Sequence, residues 1–256
     1  MLASLFAAAA LAAAPLLAAS SLDADHAAVL YALQNDVGGG CPPDVTRKAA
    51  QDASIRSLGH VGGDEVVLAS VESPCICGAQ NCPYYVIRLT AGNPRVLLST
   101  FGISARTRAE SPLPRIVVDA HDSALVVDET TYAYRDGKYV GVDSVRVRAS
   151  DNARKPQEVP VRFAAGASSA RLSGSIANGW FDTYTFAAGK GQKVQVDGVS
   201  SKAHLTLTLF GGPDVITSRP LTPGVPFTLP KSTTYRLMVD CDADHDTPYA
   251  LTLAIR

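Results

Sequence analysis

From Val159 to Arg256 the chain breaks into short stretches of alternating apolar and polar residues, separated by glycine-rich turns. His204-Leu-Thr-Leu-Thr-Leu209 and Tyr249-Ala-Leu-Thr-Leu-Ala-Ile255 keep a strict period of two. Side chains two apart share one face of a strand, so each stretch carries one apolar face. That face must be buried, and a sheet of this kind buries it against a second sheet. The period predicts strands at 160–163, 169–176, 180–186, 192–198, 203–210, 225–229, 233–240 and 248–255. Gly166, Gly174, Gly179, Gly189, Gly191, Gly211 and Gly212 punctuate the turns. The expectation is a C-terminal eight-stranded antiparallel β-sandwich, jelly-roll-like, over residues 160–256.

The start of the chain has a different character. Its first twenty residues hold no Lys, Arg, Asp or Glu and are mostly Ala and Leu, with Pro15 near the end. Ala18-Ala19-Ser20 offers small residues for a cut before Ser21, so residues 1–20 read as a signal peptide and the mature chain as periplasmic or secreted. No Cys follows the run to carry a lipid, and no later stretch is long enough to span a bilayer after cleavage.

Between the two lies a mainly β domain, expected over residues 21–149, with a short helix at 22–35. Glu65–Val71, Tyr84–Leu89, Arg95–Thr100 and Arg115–Asp119 read as strands, whereas 45–58 suits helix or strand equally. Thr130–Val142 is a hairpin, because Asp136-Gly137 supplies the positive φ angles of a two-residue turn. The polar stretch 150–159, which contains Pro156 and has no apolar period, reads as a linker.

Cysteine usage agrees with export. Cys41, Cys75, Cys77 and Cys82 fall in the first domain, where four thiols allow two disulfides in three connectivities. Cys75 and Cys77 are poorly placed to bond each other, so one reaches Cys41 and the other Cys82. Cys241 is left over: free and buried, or paired across domains or between chains. The Cys-x-Cys-x4-Cys spacing also suits zinc, but no His lies within it.

Three groups near other strands bear on chemistry. Asp240, Asp242, Asp244 and Asp246 alternate, and four carboxylates on one face would favour calcium, although the EF-hand Gly and Glu positions hold His245 and Leu251. The bland alternative is a solvated acidic loop. His121-Asp122-Ser123 has the residue types of a hydrolase relay, but adjacent positions do not converge as a relay must. No G-x-S-x-G or H-E-x-x-H occurs. Trp180 with Phe181, Tyr184 and Tyr235 makes either a sugar-stacking platform or a plug for the core. A net charge of −1 argues against nucleic acid, which would demand a basic face.

The order Phe163-Ala-Ala-Gly-Ala-Ser-Ser-Ala-Arg-Leu-Ser-Gly-Ser-Ile176, Asp182-Thr-Tyr-Thr-Phe186, Ala188-Gly-Lys-Gly-Gln192 resembles the bacterial pre-peptidase C-terminal domain. Closing strands with Tyr235, Leu237 and Val239, then Tyr249 and Leu251, complete the pattern. It resembles more closely the periplasmic inhibitors of invertebrate-type and goose-type lysozymes, over about 95 residues. The resemblance implies a non-enzymatic binder that occludes a lysozyme cleft. The loops that could enter such a cleft are Gly211–Thr217, Ala165–Ser169 and the acidic loop. One departure stands out: the inhibitors carry a basic loop between their last two strands, where this chain has Asp240–Asp246. The first domain, with Asn81-Cys-Pro-Tyr-Tyr-Val86 and the Thr130–Tyr139 hairpin, resembles exported bacterial domains of no known function. The alternative from another class is an envelope polysaccharide-binding module, stabilised by calcium.

Overall fold

The computed structural model describes residues 22–36, 40–78, 80–90, 93–123, 125–211 and 218–256. The expected signal peptide lies outside them. The described residues are mainly β, with two helices at their N-terminal side. Among the described residues no helix is long and apolar enough to cross a membrane.

Helix α1 (Ala24–Asp36) opens on Asp23, whose carboxylate accepts the His26 backbone N–H at 2.9 Å and satisfies one of the free amides of the first turn. Helix α2 (Pro43–Gln51) starts with Pro43, which has no N–H to waste, and carries Asp44 in its first turn. The stretch 45–58 is therefore both: the helix ends and β1 (Ser54–Val61) follows. β1 joins β2 (Asp64–Ser70), β3 (Cys82–Leu89) and β4 (Arg95–Gly102) in an antiparallel sheet of that order. Strand β2 reads as an unbroken apolar run because both its faces are covered. Val67 and Ala69 pack under the helices, whereas Val66 and Leu68 face a second sheet.

That second sheet runs in sequence order through β5 (Ser104–Arg108), β6 (Arg115–Ser123), β7 (Val126–Arg135), β8 (Lys138–Arg148) and β9 (Arg154–Pro156). The β7–β8 turn is the predicted one, with Asp136 at φ 48° and Gly137 at φ 80°. The Tyr134 and Tyr139 rings meet edge-on at 5.7 Å across it.

The C-terminal strands build two facing sheets. One has the order β10 (Val159–Pro160), β12 (Asp182–Ala188), β17 (Thr233–Cys241), β14 (Leu205–Phe210), β15 (Arg219–Pro220). The other has β11 (Ser169–Ile176), β18 (Thr247–Ile255), β13 (Lys193–Ser201), β16 (Phe227–Thr228). Leu209, Leu237, Leu251, Leu253 and Tyr235, all within 1% of full burial, fill the space between them. Each such leucine stabilises the fold by about 2 kcal/mol relative to exposure. The stretch 150–159 is structured: it supplies β9 to the first half's sheet and, at Val159, begins β10, which lies parallel to β12.

Candidate functional site

The two disulfides are Cys41–Cys75 and Cys77–Cys82. Cys241 is free and buried at the end of β17. Asn81, inside the short cystine loop, brackets the His121 backbone: its Oδ1 accepts the His121 N–H at 2.9 Å and its Nδ2 donates to the His121 carbonyl at 3.2 Å. The adjacent acid and hydroxyl turn elsewhere. Asp122 lies 3.7 Å from Arg146, and Ser123 Oγ accepts the Leu125 N–H at 3.3 Å. No relay forms from His121, Asp122 and Ser123, as their adjacency requires.

One end of the sandwich is closed by the first half of the chain. The Ala177–Trp180 turn, allowed by Gly179 at φ 71°, places the Trp180 ring in a small core with Val126 and Ala153 from the first half. Trp180 is 6% exposed, so it plugs this junction and offers no stacking platform to a sugar. Two cations flank it: Lys155 Nζ is 4.3 Å and Arg148 Cζ 5.1 Å from the ring centre. Lys155 also donates to Asp182 Oδ1 at 2.7 Å and to the Trp180 carbonyl at 3.3 Å. The other oxygen of Asp182 accepts the Tyr249 hydroxyl at 2.7 Å, and Tyr249 lies 2.7 Å from the Tyr184 hydroxyl. Burial pushes the Lys155 ammonium below its ordinary value, and Asp182 opposes that shift. Burial and the Tyr184 hydrogen bond push the Tyr249 phenol up, so it stays a donor.

Beside this plug, Arg146 on β8 is 6% exposed and stacks 3.8 Å from the Phe181 ring. It donates to the Phe181 carbonyl and to Asp128, both at 3.3 Å. A cleft of about 280 Å³ opens alongside, lined by Asp122, Asp128, Arg146, Phe181, Phe210 and Arg236. Desolvation raises the Asp128 carboxyl despite the neighbouring Arg146.

The four candidate calcium aspartates do not gather. Asp246 is held by Arg148 in two hydrogen bonds, and Asp240 accepts the Cys241 backbone N–H at 2.8 Å. Among the described residues no group of three or more His, Cys, Asp or Glu side chains is arranged to hold a metal ion, and Asp242 and Asp244 are exposed. Of the three loops expected to face a partner, the acidic one therefore lies against the first half. Residues 212–217 fall outside the described residues. The loop Ala165–Ser169 is exposed at the opposite end.

Sequence reasoning overlooked Arg146, Arg148 and Lys155. The two arginines had a signal: in Val145-Arg-Val-Arg148 they alternate with valines, which puts two cations on one face. What that face would meet is a tertiary fact.

Fold and motif together define a two-sheet β-sandwich module appended to a disulfide-bonded β half. No protein-family model matches the chain, and no curated protein does. Among solved structures, PliG of Salmonella Typhimurium, a periplasmic inhibitor of g-type lysozyme, is 32% identical, with 40% of this chain and 100% of that one covered at a TM-score of 0.36. A mutant of the Escherichia coli PliG inhibitor is also 32% identical, over 39% of this chain and 97% of that one at a TM-score of 0.35. The pre-peptidase C-terminal domain of a Bacillus anthracis collagenase is 19% identical, over 41% of this chain and 100% of that one at a TM-score of 0.31. The chain is thus similar, over about two-fifths of its length, to PliG lysozyme inhibitors and to a pre-peptidase C-terminal domain.

Proposed function

We propose that this is an exported, non-enzymatic binding protein whose sandwich occludes the cleft of a lysozyme. The observation that supports the reading is the way the motif residues interlock. Asp182 and Tyr184, from one motif segment, and Tyr249, from another, form one polar chain: Tyr249 donates to Asp182, Tyr184 donates to the Ser173 carbonyl, and the two hydroxyl oxygens lie 2.7 Å apart. Gly174 passes so close to this chain that an added Cβ would lie 2.9 Å from the Tyr249 ring. In the turn Ala188-Gly-Lys-Gly-Gln192 the Gln192 side chain accepts the Gly189 N–H at 2.6 Å. The residues that carry the resemblance are thus the residues that build the module. The relatives named as inhibitors of g-type lysozyme supply the partner class, and the two disulfides suit an oxidising compartment such as the periplasm.

The test is direct. Mature protein is mixed with goose-, chicken- and invertebrate-type lysozymes, and residual lysis is recorded beside size exclusion of each pair. The expected result is loss of lysis near equimolar ratio with a co-eluting complex, for the goose-type enzyme first. Full lysis and no complex with all three would overturn the proposal.

A further inference from the structure

The strand register gives the sandwich two unlike ends. Ile176 pairs with Thr247 and Asp182 with Val239 at one end; Ser169 pairs with Ala254 and Ala188 with Thr233 at the other. The first end carries Asp182, Asp240, Asp242, Asp244 and Asp246, and the first half of the chain covers it through Arg146, Arg148 and Lys155. The second end is free and basic.

Four cations stand there on backbone that is tied together. Lys190 N–H donates to Ser232 Oγ at 2.9 Å, next to Lys231, whose carbonyl accepts the Tyr235 hydroxyl at 2.7 Å. Lys193 and Arg256 exchange both backbone hydrogen bonds, at 2.7 and 3.0 Å. The side chains of Lys190, Lys193, Lys231 and Arg256 are exposed, and none forms an ion pair among the described residues. Of the described acids away from the first end, Glu158 faces Arg236 and Asp197 accepts from Gln195. Beside the cations runs the exposed 165–169 loop, turned by Gly166 at φ 75° and held where Ile255 N–H donates to the Ser168 carbonyl.

We infer that this basic end, with the 165–169 loop as its rim, is the docking face, and that its occupant is the carboxylate-lined cleft of a lysozyme. The inference rests on the function proposed above. Like charges held together with no ion-pair partner among the described side chains raise the potential of the surface, and an opposing anionic cleft relieves it. Glycoside hydrolysis requires two carboxyl groups flanking the scissile bond, one of them protonated. An ammonium placed against that acid favours its ionised form and removes the proton the reaction needs. Inhibition would then be electrostatic as well as steric.

The experiment compares two charge-reversed versions of the full chain with the parent. Lys190→Glu with Lys231→Glu alters the basic end; Asp242→Lys with Asp244→Lys alters exposed acids at the other. Melting curves confirm that both fold. Affinity for goose-type lysozyme is expected to fall by about tenfold or more in the first and to stay within about twofold in the second. Equal binding by the parent and the first variant, or loss only in the second, would overturn the inference while leaving the proposed function intact. A parent that binds no lysozyme defeats both. Anionic phosphatidylglycerol vesicles provide the last arm: vesicle binding lost in the first variant, with lysozyme affinity unchanged, assigns the basic end to a lipid surface and overturns the inference.

Discussion

Arg148 on β8 donates to both carboxylate oxygens of Asp246, at 2.6 and 3.0 Å, across 98 positions of sequence. The same guanidinium donates to both oxygens of Asp151, at 3.0 and 2.7 Å. One side chain thus ties the tip of the first half to the loop between the last two strands.

The hydrogen bond to Arg148 holds the Asp246 carboxyl below its ordinary 3.8. A carboxyl depressed in the folded state lends stability at every pH above its unfolded value, and that contribution is lost as pH falls through the folded value. Asp246→Asn should therefore lower the melting temperature at pH 7, by a stability loss of about 1 kcal/mol or less because the pair is partly exposed. The difference from the parent should shrink as pH drops below 3.8. Melting curves at pH 3, 5 and 7 check this; a difference that grows towards low pH would contradict it.

Lys155 and Asp182 form a more deeply buried pair, with side-chain exposures of 15% and 13%. Removing one partner strands the other in a poor solvent. Asp182→Ala should destabilise by about 3 kcal/mol, and adding Lys155→Met should recover part of that loss. Urea midpoints of the two singles and the double decide it; strict additivity would show that the charges do not interact.

Gly174 has the Asp182 and Tyr249 side chains against its backbone. Gly174→Ala should cost about 1–3 kcal/mol by forcing those side chains apart. Gly191→Ala gives a comparison in open space, where only its φ of 87° resists the change. The first variant should also shift the Tyr249 ring resonances, and the second should not.

The disulfides differ in the length of chain they close, 34 against 5 residues of separation. Chain-entropy arguments give about 4 kcal/mol for the longer and about 2 kcal/mol for the shorter. Paired Cys→Ser variants, unfolded in urea without reductant, should rank in that order.

Much of the sandwich was legible because its strands are local alternations between glycine turns. β11 occupies the predicted residues 169–176, and β18 begins one residue early. β15 was missed because Arg219-Pro220 is too short to carry a period. In β1 a register shift between Ser57 and Gly59 breaks the alternation, so the strand hides from a period-two search. β5, Ser104-Ala-Arg-Thr-Arg108, is a polar edge strand with little apolar signal. Chain geometry told against a Cys75–Cys77 bond but left open which of the two reaches Cys41; the structure pairs Cys41 with Cys75. The covered end was not legible, since Trp180, Arg148 and Asp246 lie far apart in sequence and each has an ordinary reading alone. Only the pairing of two surfaces makes the acidic loop a latch.

Gln157 and Glu158 are all that separates Pro156, the last residue of β9, from Val159, the first of β10. Gln157 itself donates to the Ser144 carbonyl at 3.1 Å, which shortens the free span further. The chain is spliced from one sheet into the next without slack, so the two halves have no tether on which to swing. Severing it anywhere in 150–159 would strip an edge strand from one side and uncover the Trp180 junction on the other. A sandwich released in this way would meet water with an apolar scar, and such surfaces seek each other.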